Sequence, residues 1–263
     1  MDSITYSRCI RRRALEMVTA AKASHIGGAL SVADVIAVLY SDILRVRPED
    51  PSWADRDRLI LSKGHSCTSL YAALALKGFF STEELKSYAK DGSRLMSHIS
   101  HKVPGVEFST GSLGHGLPFG SGKALAAKLS GLAWGTYVIV SDGELDEGSN
   151  WEAILFAGHH RLSNLTLIVD FNKIQSLGSV ADVLDLGDLA GKFETFGWSV
   201  LQVDGHDHDA LRATFRKPRD ITKPRVVIAH TVKGKGVSYM EHQLLWHYRN
   251  PDPALLQQAL TEL

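Results

Sequence analysis

Apolar positions along the chain follow two regimes. Up to about residue 90 they mostly recur at helical spacing; from residue 116 onward, short Val/Ile-rich runs alternate with amphipathic segments. Residues 3–23 set Ile10, Leu15 and Val18 among arginines and read as a helix. The stretch SVADVIAVLYSDIL opens with Ser31 and Asp34 at capping-box spacing, so a helix is predicted to begin there. RLILS (58–62) is a short strand, followed by KGHS, a helix over 66–78 and a short helix over 82–90. From Asp91 to Gly116 no period survives, and Gly, Ser and His dominate. Loops this long inside compact domains are usually functional or disordered. Val103, Val106, Phe108 and Leu113 give this one something to pack, which favours a functional loop.

The second regime is regular. A helix over 116–130 precedes the strand TYVIVS (136–141) and a helix over 148–160. LTLIVDF (165–171) leads to an irregular stretch and a helix over 187–196. SVLQVD (199–204) leads to a helix over 207–216, and RVVIAH (225–230) to a loop and a helix over 253–261. Val/Ile-rich strands alternating with helices predict an α/β fold, a parallel sheet with helices on both faces. No repeat or Pro/Ser linker divides the chain, so residues 1–263 are expected to form one domain with an N-terminal helical elaboration.

Composition adds bounds. The chain has 263 residues, 44% hydrophobic and 22% charged, with formal net charge zero, so bulk electrostatics give no reason to expect nucleic acid or an anionic membrane as partner. No run of eighteen apolar residues and no secretory signal are found. The two cysteines, Cys9 and Cys67, lack metal-ligand spacing and form no disulfide framework, so a reducing cytoplasm is the expected compartment.

In open parallel sheets, ligands bind beyond the carboxyl ends of the strands. There the sequence places Asp142-Gly143, Asn172-Lys173-Ile174, His230 followed by KGKG, and Gly64-His65, with the loop STGSLGHG (109–116) running into a helix. Asp142 and Asn172 offer hard oxygen ligands on neighbouring strand ends. A sparse set of this kind suits Mg²⁺ or Ca²⁺ bridging a ligand's phosphates, and glycine beside the acid lets those phosphates approach. Rival motifs fail on their letters. An EF-hand loop starting at Asp142 would need Gly at position 147 and Glu at 153, where Glu147 and Ala153 stand. A phosphate loop ending at Gly122-Lys123 would need Gly where Leu117 stands and Ser/Thr where Ala124 stands. No Gly-x-Gly-x-x-Gly follows the first strand of the regular part. The pairs His159/His160 and His206/His208 lack partners at zinc spacing and read as solvated polar residues.

Asp142-Gly143 followed about thirty residues later by Asn172 resembles the metal–diphosphate motif of thiamin-diphosphate enzymes, and the chain nearly end to end resembles the N-terminal part of transketolase. ASHIGGALSVADVIAVLY, DRLILSKGHSCTSLYAALALKGFF, VPGVEFSTGSLGHGL, DGELDEGSNWEA, LIVDFNKIQ and HTVKGKGVSYME carry the likeness, in order. It implies a thiamin-diphosphate-binding fold of the diphosphate type and the following roles. Asp142, Asn172 and the carbonyl of Ile174 would bind Mg²⁺. Gly143 and Asn172 would hold the diphosphate, and backbone groups of Gly111, Ser112 and Leu113 would line the aminopyrimidine. His65 would face diphosphate and substrate, His25 would touch substrate hydroxyls and move protons, and His98 would be a further substrate histidine, with His101 the alternative. His247 would serve cofactor and substrate, with His242 the alternative. Glu147 resembles the acid at the subunit interface that links paired active sites. Imidazoles titrating near neutrality suit proton traffic among hydroxyls and a carbonyl.

The sequence departs from the family in places. Ser141 replaces the first glycine of Gly-Asp-Gly, Ser112 replaces a loop proline, and Tyr248 follows His247 where glycine is common. No segment resembles the later domains, which supply the glutamate that activates the aminopyrimidine and the basic residues that read a sugar phosphate. The resemblance therefore implies one subunit of a split transketolase that moves a two-carbon ketol unit between sugars or sugar phosphates. It would be inactive without a partner chain carrying the pyrimidine-binding domain, and an α₂β₂ assembly is expected. The alternatives are another thiamin-dependent carboligase or decarboxylase half-enzyme, or a non-catalytic dimerising paralogue; the presence of Asp142, Asn172, His25 and His65 argues against the latter.

Overall fold

The computed structural model describes residues 1–263. Its helices are α1 (Ser3–Ala21), α2 (Ile26–Val38), α3 (Cys67–Lys77), α4 (Gly116–Leu129), α5 (Gly148–His159), α6 (Val180–Val183), α7 (Leu189–Thr195), α8 (His208–Arg216) and α9 (Pro253–Glu262). The strands are β1 (Arg58–Leu61), β2 (Thr136–Ser141), β3 (Leu165–Phe171), β4 (Ser199–Asp204) and β5 (Arg225–His230). All pairings are parallel, in the order β1-β2-β3-β5-β4. Ser141 lies opposite Asp170, so the ends of β2 and β3 emerge side by side and carry Asp142 and Asn172 to one edge.

Alternate strand residues face opposite layers. Leu59, Leu61, Ile139, Ile168 and Val227 join a cluster with α1, α2, α3 and α8, whereas Ile60, Val138, Val140, Leu167 and Val226 join another with α4, α5 and α7. Helices thus cover both faces, which is why the strands read as continuous apolar runs. A third cluster, including Leu15, Ile26, Trp246 and Ala259, packs the C-terminal segment and α9 on the back of α1 and α2.

Three sequence expectations need correction. The helix predicted from Ser31 begins at Ile26, because His25 adopts a left-handed backbone (φ 72°) that breaks the chain there. Ser31 and Asp34 lie inside the helix and cap nothing. Instead Ser31 Oγ donates to Asp170 at 2.6 Å, and Asp34 forms an ion pair with Arg11 at 2.6 Å. The helix expected over 82–90 is a 3₁₀ segment, Thr82–Ser87. Although the sequence holds no unbroken run of eighteen apolar residues, α2 and the π turn that extends it form an 18-residue helical stretch, Ile26–Ile43, of membrane-span length and composition. Of its residues 83% are buried within the protein, and it packs as the central core helix.

His206 and His208 also differ from their expected solvated state. Both are largely buried against Asp34, at 2.7 and 3.0 Å. His206 Nε2 accepts from the Val232 N–H at 2.8 Å, so its Nδ1 carries the proton and donates to Asp34. Burial opposes ionisation of Asp34, but the bonds from His206, His208 and Arg11 prevail and hold its carboxyl far below the usual range.

Candidate active site

Beyond the carboxyl ends of β1, β2, β3 and β5 lies a polar cleft of about 200 Å³. Its floor is built on Asp142, which is 1% exposed. The hydrogen-bond partners of this carboxylate are the backbone N–H groups of Gly143, at 2.8 Å, and Lys173. Burial and the nearby charge of Asp170 push its carboxyl up to about 6. Lys173 reaches it from a left-handed conformation, φ 69°. Asn172 is oriented from both ends: its amide Nδ2 donates to Asp170 at 3.4 Å, and its Oδ1 accepts from the Ile174 N–H at 3.2 Å. A Cβ at Gly143 would come 2.8 Å from Gln175 Cγ, so only glycine leaves this rim open.

Beneath the floor a buried ion pair fixes the strand ends. Lys63 Nζ donates to Asp170 and to the Gly28 carbonyl, the latter at 3.1 Å. Ser31 and Thr231 hydroxyls also donate to Asp170. Burial alone would raise this carboxyl, but Lys63 and the two hydroxyls outweigh it and hold it below its usual range. Lys233 Nζ donates to the carbonyls of Ile174 (2.9 Å) and Gln175 (3.3 Å), and to His247 Nδ1 (3.1 Å). A lysine has no acceptor lone pair when charged, so His247 Nδ1 accepts and the ring proton lies on Nε2.

The wall is a cluster of four imidazoles. The His25 ring lies 5.2 Å from His65, 5.7 Å from His98 and 5.0 Å from His247, and His65 lies 5.8 Å from His247. The His25 N–H donates to the His247 carbonyl at 2.9 Å, which ties the start of α2 to the C-terminal segment. Burial lowers all four pKa values. His25 falls to about 4, helped by His98 and Lys233, and His247 to about 3, helped by Lys233 and His25. His65 is held well below its ordinary value and His98 is lowered by burial alone. Burial thus overturns the near-neutral titration expected from the sequence: the rings are neutral at pH 7 and suit hydrogen bonding to hydroxyls and proton relay rather than holding a proton themselves.

The structure gathers Asp142, Gly143, Asn172, Ile174, His25, His65, His98, Gly111, Leu113 and His247 at one cleft. Ser112, between two lining residues, is exposed and does not line it. Glu147 is exposed at the start of α5 and also lies off the cleft. The geometry separates the paired histidine alternatives: His101 is exposed and bonded to Ser109 Oγ at 2.7 Å, and His242 is exposed, whereas His98 and His247 face the cleft. Sequence reading assigned no role to Lys63, Lys233 or Asp170. A signal existed in each case: the lysines stand in the strand-end motifs KGH and KGKG, and Asp170 is an acid inside an apolar strand.

Residues 4–247 match the family model described as transketolase, thiamine diphosphate binding domain. The chain is 43% identical over 255 residues to one of the subunits of the apulose-4-phosphate transketolase of Phocaeicola vulgatus, covering 96% of this chain and 90% of that one. It is 40% identical over 256 residues to a 6-deoxy-6-sulfo-D-fructose transketolase subunit of a Clostridium species, covering 97% and 93%. Among solved structures, the transketolase of Campylobacter jejuni superposes with a TM-score of 0.93 at 32% identity; the match covers 99% of this chain and 42% of that one.

Proposed function

The chain belongs to the transketolase family, and we propose that it is the diphosphate-binding subunit of a two-chain transketolase that moves a two-carbon ketol unit from a ketose to an aldose. The observation that carries this reading is the placement of Asp142, buried and held by backbone N–H groups, beside Asn172 and under four neutral histidines.

The donor set fits the implied cofactor and metal. An anionic oxygen, an amide oxygen and a carbonyl form a hard, sparse site that suits Mg²⁺ shared with a diphosphate, and it would accommodate Ca²⁺ as well. Asp142, Asn172 Oδ1 and the Ile174 carbonyl would hold the metal. Gly143 would admit the diphosphate, and Gly111 and Leu113, with the intervening Ser112 backbone, would face the aminopyrimidine. When bound, thiamin diphosphate supplies the electron sink that lets a carbon–carbon bond beside a ketose carbonyl break and form. The protein's part is to orient substrate hydroxyls and move their protons. His25 and His98 would take that work at the open side of the cleft, with His65 and His247 nearer the cofactor.

Two observations support a partner chain. Pockets that enclose a drug-sized ligand span about 300–1,000 Å³, and this cleft of about 200 Å³ needs another wall to do so. The chain also spans nearly the whole of relatives named as subunits, but 42% of a transketolase built as one chain. In this reading the partner supplies the pyrimidine-binding domain in an α₂β₂ assembly, and Glu147 faces a neighbouring subunit. Lys63 and Lys233 are engaged by Asp170 and by backbone carbonyls, so an anionic sugar tail would be read by the partner. The two relatives named for a phosphorylated and a sulfonated sugar support an anionic ketose as donor.

Calorimetry on the chain combined with its partner tests the site. Thiamin diphosphate should bind in a Mg²⁺-dependent manner, and Asp142→Ala should abolish that binding. Unchanged binding by the variant would remove the assignment, and ketol transfer by the chain alone would overturn the two-chain reading.

A further inference from the structure

Glu144 is the most buried acid of the DGELDEG segment, at 0% exposure, and neither the metal nor the diphosphate role draws on it. Three chain segments converge on its carboxylate. Oε1 accepts from the Ser62 hydroxyl, at the end of β1, and from the Gly114 N–H at 3.0 Å; Oε2 accepts from the Ser141 N–H at 3.3 Å. Ser62 Oγ in turn accepts from the Gly116 N–H at 3.0 Å. Ser149 Oγ holds the same loop from its other side by donating to the Gly114 carbonyl at 2.7 Å.

The clamped loop has little internal means of staying in place. Residues 110–115 form no helix or strand, and Gly114 has φ +83°. Contact is tight enough to require glycine: a Cβ on Gly114 would fall 2.5 Å from Ser149 Oγ, and one on Gly116 2.4 Å from Ser62 Oγ. Gly111, three residues before the clamp, lies under the His98 ring, where a Cβ would be 3.2 Å from Cδ2. A charged acceptor is the strongest available partner for a buried backbone N–H, and a carboxylate committed to three protein donors has little capacity left for a ligand.

We infer that Glu144 is a positioning residue, one that locks the 111–116 loop through Gly114 and, by way of Ser62, Gly116, and so presets the aminopyrimidine end of the site and the His98 contact. The inference rests on the proposed thiamin-diphosphate site. It separates the two ends of that site: Asp142, Gly143 and Asn172 serve the diphosphate without Glu144, whereas Gly111 and Leu113 depend on it.

The test pairs hydrogen–deuterium exchange of the full chain with calorimetry on the chain combined with its partner, using thiamin diphosphate and, separately, inorganic diphosphate, each with Mg²⁺. Glu144→Ala should speed exchange over residues 111–116 by about tenfold or more and weaken thiamin diphosphate by a similar factor, the size expected for one charge-assisted hydrogen bond. Inorganic diphosphate should bind within about twofold of the unsubstituted chain, because its contacts are untouched. Glu144→Gln keeps one acceptor oxygen for Gly114 and should restore most of the protection. Ser62→Ala removes the acceptor of Gly116 N–H; it should act in the same direction as Glu144→Ala, and it carries the test if that variant does not fold. Unchanged exchange over 111–116, or equal loss of both ligands, overturns the inference. Failure of the unsubstituted chain, combined with its partner, to bind thiamin diphosphate while binding inorganic diphosphate tells instead against the proposed function, and the exchange measurement then decides the clamp by itself.

Discussion

The four cleft histidines carry a consequence for stability. In the unfolded chain a histidine titrates near 6.5, whereas folded His25 and His247 are pushed down to about 4 and about 3, with His65 and His98 shifted the same way. Folded pKa values below unfolded ones mean that the unfolded chain binds more protons as pH falls below about 6.5, so stability is lost through the window down to the folded values. Asp142 opposes this, because its raised pKa stabilises the folded form between about 6 and the ordinary 3.8. Glu144 and Asp146, also raised by burial, act with Asp142, and His230, lowered by burial, acts with the four cleft rings, whose shifts leave a net loss in acid. Denaturation midpoints of the metal-free chain, measured from about pH 7 to about pH 4.5, should fall, and the fall should be shallower in a His25→Asn/His247→Asn variant. The same slope in both would show that these rings are not the origin of the effect.

At the scale of elements, two glycines in helices should respond in opposite directions. Gly158 lies in α5 where a Cβ would stand 2.0 Å from the Phe196 carbonyl oxygen, so Gly158→Ala forces α5 off the residues preceding β4. The cost should be about 2–3 kcal/mol, outweighing the roughly 1 kcal/mol by which alanine favours helix. Gly122 lies in α4 with nothing within 4 Å of its would-be Cβ, and Gly122→Ala should stabilise by about 0.5–1 kcal/mol. Urea titrations of both variants check the pair; a stabilised Gly158→Ala would mean that the α5 contact is loose. The elements most legible in the sequence were the sheet strands. All but the short β1 match their predicted spans: β2, β3 and β5, buried on both faces, are written as near-continuous apolar runs between turns, and the edge strand β4, only partly buried, is marked by its turns and by the polar Gln202 inside it. Asp142, Asn172 and His65 were legible because strand ends are where such a sheet binds ligands, whereas His25, His98 and His247 were marked only by the resemblance to transketolase. The start of α2 was not, since a left-handed His25 leaves no letter signal and Ser31 mimics a cap. Glu144 and Asp34 were missed for a related reason: their partners come from segments far apart in the chain, Ser62 and Gly114 for one, Arg11 and His206 for the other. Spacing along a sequence does not encode such convergence.

The whole molecule leaves one helix face without a partner. Along α5, Glu152, Leu155, Phe156 and His159 are exposed at positions i, i+3, i+4 and i+7, with Leu155 at 57% and Phe156 at 38%. Leu184, 55% exposed, borders the same region, sharing a groove with Trp151 of α5. Glu147 stands at the N-terminal end of this helix, so the stripe runs from the acid expected at a subunit contact. A chain with zero net charge has no long-range repulsion to keep such faces apart. Self-association through α5 would bury the stripe and bring two copies of Glu147 near one another, as the α₂β₂ reading requires. A Leu155→Glu/Phe156→Glu variant puts like charges into that contact; the fold itself should lose about 0.5 kcal/mol or less at Leu155 and about 1 kcal/mol at Phe156, whose ring lies 4.2 Å from that of His160. Sedimentation should therefore give a smaller mass for the variant than for the unsubstituted chain, with an unchanged circular dichroism spectrum. Equal masses would place the contact between copies elsewhere, and α5 would then be a face for the second type of chain.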